Sequence, residues 1–260
     1  MWPQARDDRL FASLLIGLVA LAWISLTVWS SSPWGRFLGH GEGGEAALGG
    51  GYLVLLLVFV AGWTLMTVAM MLPTSMPLVA LFRALVRRRP DGGRLVASLV
   101  GGYLSVWILF ALVVHAGDRG VHAAVHQIGW LQSNAWTIAA GTVLLAGMYQ
   151  FSSLKYRCLD KCRSPFSFVM GHWRGGRGSA EAFRLGVDHG RFCLGCCWSL
   201  MLVMFAVGLG NLAWMFALAV VMALEKNHPL GRRLSAPVGV FLLAWGAVLV
   251  LVQGPLGDIV

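Results

Sequence analysis

Charge is what this chain most lacks: of its 260 residues only 12% are Asp, Glu, Lys or Arg, while 58% are hydrophobic. Soluble domains carry roughly 25% charged residues. So small a polar complement cannot cover the apolar mass, which excludes a soluble enzyme and requires a bilayer as solvent. Negative charge is scarcer still, with 11 Asp and Glu against 20 Lys and Arg. The resulting net charge of +9 does not indicate nucleic acid, because that would need the cations on one water-facing surface. Here they fall in short loops between apolar runs. Internal repeats, a Walker sequence and a dinucleotide fingerprint are also absent, so the chain by itself is no ATP-driven pump.

A helix needs about 20 apolar residues to cross a ~30 Å hydrocarbon layer. Seven runs qualify, near residues 10–29, 52–72, 95–114, 135–154, 192–207, 212–224 and 237–252. The first follows Arg6 and Arg9 but is too long for a signal peptide, and no A-x-A site follows, so it reads as a retained anchor. The uncharged stretch 194–224 divides into two short spans at the turn signal Gly208-Leu209-Gly210-Asn211. The fold expected is all-α: one integral membrane domain over 1–260, a bundle of about seven helices.

Orientation follows from the loops. With the N-terminus inside, 18 of the 20 Lys and Arg lie on the cytoplasmic side, and only Arg36 and Arg119 lie opposite. The C-terminus is then outside. The largest water-facing segment is the basic cytoplasmic loop 155–191, whose stretch 171–178 reads as a flexible linker. Ser179 is a candidate cap for the helix that follows it.

All five cysteines fall between positions 158 and 197, on the side assigned to the reducing cytoplasm. Structural disulfides are disfavoured there, which leaves metal binding, thiol redox work or inert packing. Cys158 and Cys162 are spaced i, i+4, as are Cys193 and Cys197, so each pair can share one helix face. Cys196 and His189 are further donors beside them. Lys155, Arg157, Lys161, Arg163 and Arg191 flank the cluster, and nearby cations favour the thiolate.

Methionine adds a second set of soft donors. Met66 and Met70 share a face of the second span, with Met76 following between Pro73 and Pro77, and Met201 and Met204 continue the cysteine face of the fifth. Thioethers suit Cu(I), although methionine also serves as a gap filler between helices. Glu225 and Lys226 end the sixth span, either as support for the cysteine site or as snorkelling side chains. His115, Asp118, His122 and His126 form one stripe on the opposite side, read as the polar face of an interfacial helix anchored by Trp130.

These residues carry a resemblance. Met66, Met70, Met71 and Pro73; Lys155, Cys158, Cys162, Arg163 and Pro165; Gly186, Gly190, Cys193, Gly195, Cys196, Cys197, Trp198 and Met201; and Glu225-Lys226 resemble a family of bacterial polytopic proteins described as predicted metal-binding integral membrane proteins. The resemblance covers most of the chain from the second to the sixth span and implies a metal-binding membrane protein. The function expected is binding of a soft transition metal, Cu(I) before zinc, for transport, delivery or storage rather than catalysis. Its expected ligands are Cys158, Cys162, Cys193, Cys196, Cys197, Met66, Met70, Met201 and His189. The expected surroundings are the lipid bilayer of a bacterial cytoplasmic membrane and a metal-delivery or membrane-complex partner, with no nucleic acid. The rival reading is a membrane thiol-disulfide oxidoreductase using the Cys-x-x-Cys spacing of Cys193 and Cys196; a third is a non-catalytic subunit of a membrane complex.

Overall fold

The structure, a computed structural model, describes residues 2–31, 52–175, 178–207 and 211–253. Arg36, Gly176, Arg177, the turn at 208–210 and the tail 254–260 lie outside the described residues. Every described element is helical: α1 (Trp2–Ser31), α2 (Tyr52–Met70), α3 (Leu72–Val86), α4 (Gly92–Gln127), α5 (Gly129–Ser133), α6 (Trp136–Tyr149), α7 (Ser153–Cys162), α8 (Pro165–His172), α9 (Gly178–Val207), α10 (Leu212–Asn227) and α11 (Gly231–Gln253).

Among the described residues four helices are long and apolar enough to cross a membrane: the part of α1 over Phe11–Ser31, then α2, α4 and α11. The pair α6 and α7, bent by 67° at its break, makes a fifth if counted as one span. The remaining apolar runs of the sequence are also helical, in α9 and α10. The loop expected over 155–191 instead holds most of α7, all of α8 and the start of α9.

Two glycine-lined contacts hold the bundle. A β-carbon on Gly102 would stand 2.1 Å from the Phe183 carbonyl oxygen, and one on Gly186 would stand 2.0 Å from that of Leu99. A β-carbon on Gly190 would stand 3.0 Å from the Val106 side chain. Contact positions rise together along both chains, so α4 and α9 run parallel, backbone against backbone, as small residues permit. Helices α6 and α11 run antiparallel, with Gly147 against Leu243, Gly246 against Leu144 and Gly239 against Phe151.

Two breaks position the side chains that matter. Proline at 73 has no N–H to offer the Ala69 carbonyl four residues earlier, so α2 ends at Met70 and α3 begins at Leu72, with Met71 between them. The freed Ala69 oxygen accepts from Trp23 Nε1 of α1 at 3.2 Å. The second break separates α6 from α7, where the Ser152 hydroxyl caps α7 by accepting from Lys155 N at 3.1 Å. Cys158 and Cys162 therefore belong to a short bent helix and not to the end of the fourth apolar run. The turn into α4 is closed by Arg89, whose guanidinium lies 2.9 Å from Asp91. That hydrogen bond holds the Asp91 carboxyl below the usual carboxylate range.

Adjacent glycines on α4 test the parallel contact. Gly102→Ala drives a methyl into backbone that cannot swing aside, and overpacking of this kind costs about 1–3 kcal/mol. Gly101, with nothing within 4 Å of its would-be β-carbon, accepts alanine freely. Thermal unfolding in detergent should show a lowered midpoint for Gly102→Ala and an unchanged or raised one for Gly101→Ala. Equal midpoints would remove the close helix contact.

Candidate metal centre

Helix α9 carries Cys193, Cys196 and Cys197, and all three thiols are buried. Spacings of three and four residues turn their side chains toward one side of the helix. Cys196 Sγ lies 3.3 Å from Cys197 Sγ and 3.1 Å from the Cys193 carbonyl oxygen. Helix α7 brings Cys162, whose sulfur is 3.9 Å from that of Cys196. All five cysteines are free thiols. Two sulfurs sharing one tetrahedral ion at about 2.3 Å stand roughly 4 Å apart, so the Cys162 to Cys196 separation already suits a common ligand. Among the described residues no group of three or more His, Cys, Asp or Glu is placed to hold an ion together. The thiols touch in pairs, and a shared ion requires at least one of them to rotate.

Cys193 is bound by two polar groups from other helices. The Tyr103 hydroxyl of α4 lies 3.1 Å from its sulfur, and Lys226 Nζ of α10 donates to it at 3.0 Å. Lys226 is buried, and its other contacts are the Thr74 hydroxyl at 3.0 Å and Met71 Sδ at 3.8 Å. A buried ammonium requires a countercharge. Among the described groups touching Nζ, the Cys193 thiol is the one that ionises readily, which makes it the candidate for that countercharge.

The neighbouring residue of α10 points the other way. Glu225 forms a buried ion pair with Lys155 of α7, with Oε1 and Oε2 at 2.7 and 2.9 Å from Nζ. Ser235 of α11 donates to Oε1 at 2.8 Å, and the Gln150 side-chain oxygen accepts from Lys155. Arg163 donates to the carbonyls of Glu225 and Pro229. Neither Glu225 nor Lys226 snorkels: each is a structural cross-link from α10 to a different neighbour.

The structure gathers Cys162, Cys193, Cys196 and Cys197. Cys158, one turn before Cys162, directs its sulfur at Gly195 instead, where a β-carbon would come within 2.5 Å. Met66, Met70, Met201 and Met204 lie buried in the same apolar cluster as the cysteines. His189 is turned to Ser75, with Nε2 3.3 Å from its hydroxyl, and packs beside the Tyr103 and Phe168 rings. Its Nδ1 has no hydrogen-bond partner among the described residues. Tyr103 and Thr74 escaped the sequence reading. Their only signal was a polar group in an apolar helix, which the sequence cannot pair with a thiol 90 residues from Tyr103 or an ammonium 152 residues from Thr74. The cysteines were expected at helix ends on the cytoplasmic face. Cys162 does end α7, but Cys193 lies well inside α9 and not at its start, and it meets Tyr103, which is 11 residues into α4, about 16 Å along that helix at ~1.5 Å per residue.

A family model described as PpoB2, copper chaperone, matches residues 60–249. No curated protein and no solved structure matches the chain.

The Lys155 and Glu225 pair should be strongly non-additive. Glu225→Leu or Lys155→Met alone strands a buried charge, at a cost of about 3–5 kcal/mol. Replacing both removes the ions together and should restore most of the loss. Folded yield and unfolding midpoint of the three variants measure this; a double variant as unstable as the sum of the singles would contradict the pairing.

Proposed function

The chain belongs to the PpoB2 copper chaperone family, and from that premise we propose that it binds Cu(I) at a buried thiolate cluster made by Cys162, Cys193, Cys196 and Cys197 and holds it for delivery. The observation that carries this reading is the convergence of four free thiols from α7 and α9, one of them paired with a buried ammonium. Thiolate sulfur is the soft ligand that selects Cu(I). Copper is cargo here: it enters and leaves by exchange of one sulfur for another, with no change of oxidation state. Cys162 is the half-buried member of the cluster and so the thiol nearest an incoming ligand, while the other three are buried. Met66, Met70, Met201 and Met204 line the same core and pack around the site.

The proposed setting is the bacterial cytoplasmic membrane, with seven crossings. Helices α2 and α3 together make the second, and α9 and α10 add two to the long apolar helices and the bent pair α6 and α7. The exposed Arg87, Arg88, Arg89, Arg94, Arg157, Lys161, Arg232 and Arg233 gather where α3, α4, α7 and α11 begin or end. The positive-inside rule makes that end cytoplasmic.

The detergent-solubilised chain, titrated anaerobically with Cu(I) against a competing chelator, should bind it stoichiometrically. Cys162→Ser and Cys193→Ser should each weaken binding by ~10-fold or more, a loss of at least ~1.4 kcal/mol. Removing both should cost little more than removing one, because they serve one site. Cys158→Ser should leave affinity within about two-fold, a difference under ~0.5 kcal/mol. A reducible disulfide with no bound copper would favour the thiol-disulfide oxidoreductase, and preference for zinc would replace the metal.

Orientation has its own check. In intact cells an impermeant thiol reagent should label Asp258→Cys and miss Ser179→Cys. Labelling in the reverse pattern would invert the proposed topology.

A further inference from the structure

The position of the Lys226 ammonium is unusual for a buried lysine. Among the described residues its polar contacts are two sulfurs and a hydroxyl: Cys193 Sγ at 3.0 Å, Met71 Sδ at 3.8 Å and Thr74 Oγ1 at 3.0 Å. The carboxylate next to it in sequence is taken by Lys155. From this juxtaposition we infer that Cys193 and Met71 form a Cu(I) site, whose place the Lys226 ammonium keeps while no copper is bound. The inference rests on the reading that the chain binds Cu(I) at its thiolates, and it names the thioether partner and the resident cation of that site.

Three observations carry it. First, a thioether is a weak hydrogen-bond acceptor, so an ammonium gains little from Met71, whereas thiolate and thioether together are a soft pair suited to Cu(I). Second, Met71 is the residue at which α2 passes into α3; it keeps right-handed helical dihedrals, and its N–H donates to the Thr67 carbonyl at 2.8 Å. Met66 and Met70 sit within the regular turns of α2, but Met71 stands at the break before Pro73, with its carbonyl accepting from Thr74 Oγ1 at 2.8 Å. Third, charge is matched. Replacing one monovalent cation by another leaves the net charge between the sulfurs unchanged, whereas a divalent ion adds a positive charge with no partner in a medium where unpaired charge is costly.

Loading is then an exchange of cations. Bonds form from Cu(I) to Cys193 Sγ and Met71 Sδ, the Nζ contacts to both sulfurs break, and no electron moves. The lysine stem is flexible, so Nζ can leave the sulfurs and keep Thr74 as its partner, and it gives up one proton to solvent as it does so, because a buried ammonium parted from its thiolate has no countercharge; Cu(I) in and one proton out leave the net charge unchanged.

Copper K-edge absorption of the full chain, labelled with selenomethionine and loaded with one equivalent of Cu(I), separates selenium from sulfur neighbours. Copper-selenium scattering should appear in the unsubstituted chain and in Met70→Leu and vanish in Met71→Leu. Cu(I) affinity should fall by ~10-fold in Met71→Leu and stay within about two-fold in Met70→Leu. Leucine nearly conserves methionine volume, so both variants should fold; if Met71→Leu does not, the unsubstituted chain and Met70→Leu still decide whether selenium touches copper. The chain has three lysines, so the ¹⁵N ammonium signal of Lys226 can be followed, and it should shift or disappear on loading while those of Lys155 and Lys161 stay. Bound copper with no selenium neighbour, selenium scattering that survives Met71→Leu in the folded variant, or an unmoved Lys226 signal would overturn the inference and leave the thiolate reading standing. Absence of Cu(I) binding would remove that reading and this one with it.

Discussion

Two adjacent charges on one helix, Glu225 and Lys226, set the constraint on which the rest of the structure depends. Both are buried, and an ion withdrawn from water must find a partner or the helix cannot pack. Consecutive residues on a helix point about 100° apart, as 3.6 residues per turn dictate. Glu225 therefore reaches Lys155 on α7 and Ser235 on α11, while Lys226 reaches Cys193 on α9 and Thr74 on α3. One short helix thus fixes four others. Because α7 also carries Cys162, the ion pair that seats α7 holds that thiol beside Cys196. Structural electrostatics and the proposed copper chemistry share the same groups.

Backbone irregularity does the remaining positioning. Proline at 73 interrupts the run from α2 to α3, and Met71, the residue between them, offers its sulfur to Lys226 and its carbonyl to Thr74. Ser152 starts a new helix where a straight span would have carried Cys158 and Cys162 away from α9. Against these two breaks stands the rigid parallel pair of α4 and α9, closed by glycines, which places Tyr103 against Cys193. The site is thus framed by one close-packed helix pair and two interrupted neighbours.

Much of this was legible in the sequence, and what was not has physical causes. Helicity was legible because long apolar runs in a chain so poor in charge have no other way to satisfy their backbone. That Cys193, Cys196 and Cys197 share one side of a helix was legible, because spacings of three and four residues fix it whatever the packing. Helix ends were less so: the apolar run 135–154 continues past the break at Tyr149, since hydropathy does not register a bend capped by a single serine. Likewise Cys158 and Cys162 look equivalent in spacing, but only the packing of α7 decides that one meets Cys196 and the other Gly195. Lys226 reads equally as support for the cysteine site or as a snorkelling cation, because the choice depends on a sulfur 33 residues away. The stripe from His115 to His126 falls on α4; there His115 packs on the Phe59 ring and His122 lies 3.8 Å from Asp118.

The central claim is that copper sits inside the bundle, among the thiols beside Lys226, and not on the histidines at the far end of α4. Anomalous scattering at the copper edge from crystals of the Cu(I)-loaded protein locates the ion directly. The account predicts one strong peak within bonding distance of Cys193 Sγ, bounded by Cys162, Cys196, Cys197 and Met71. A peak on the His115 to His126 stripe with none at Cys193 would contradict it.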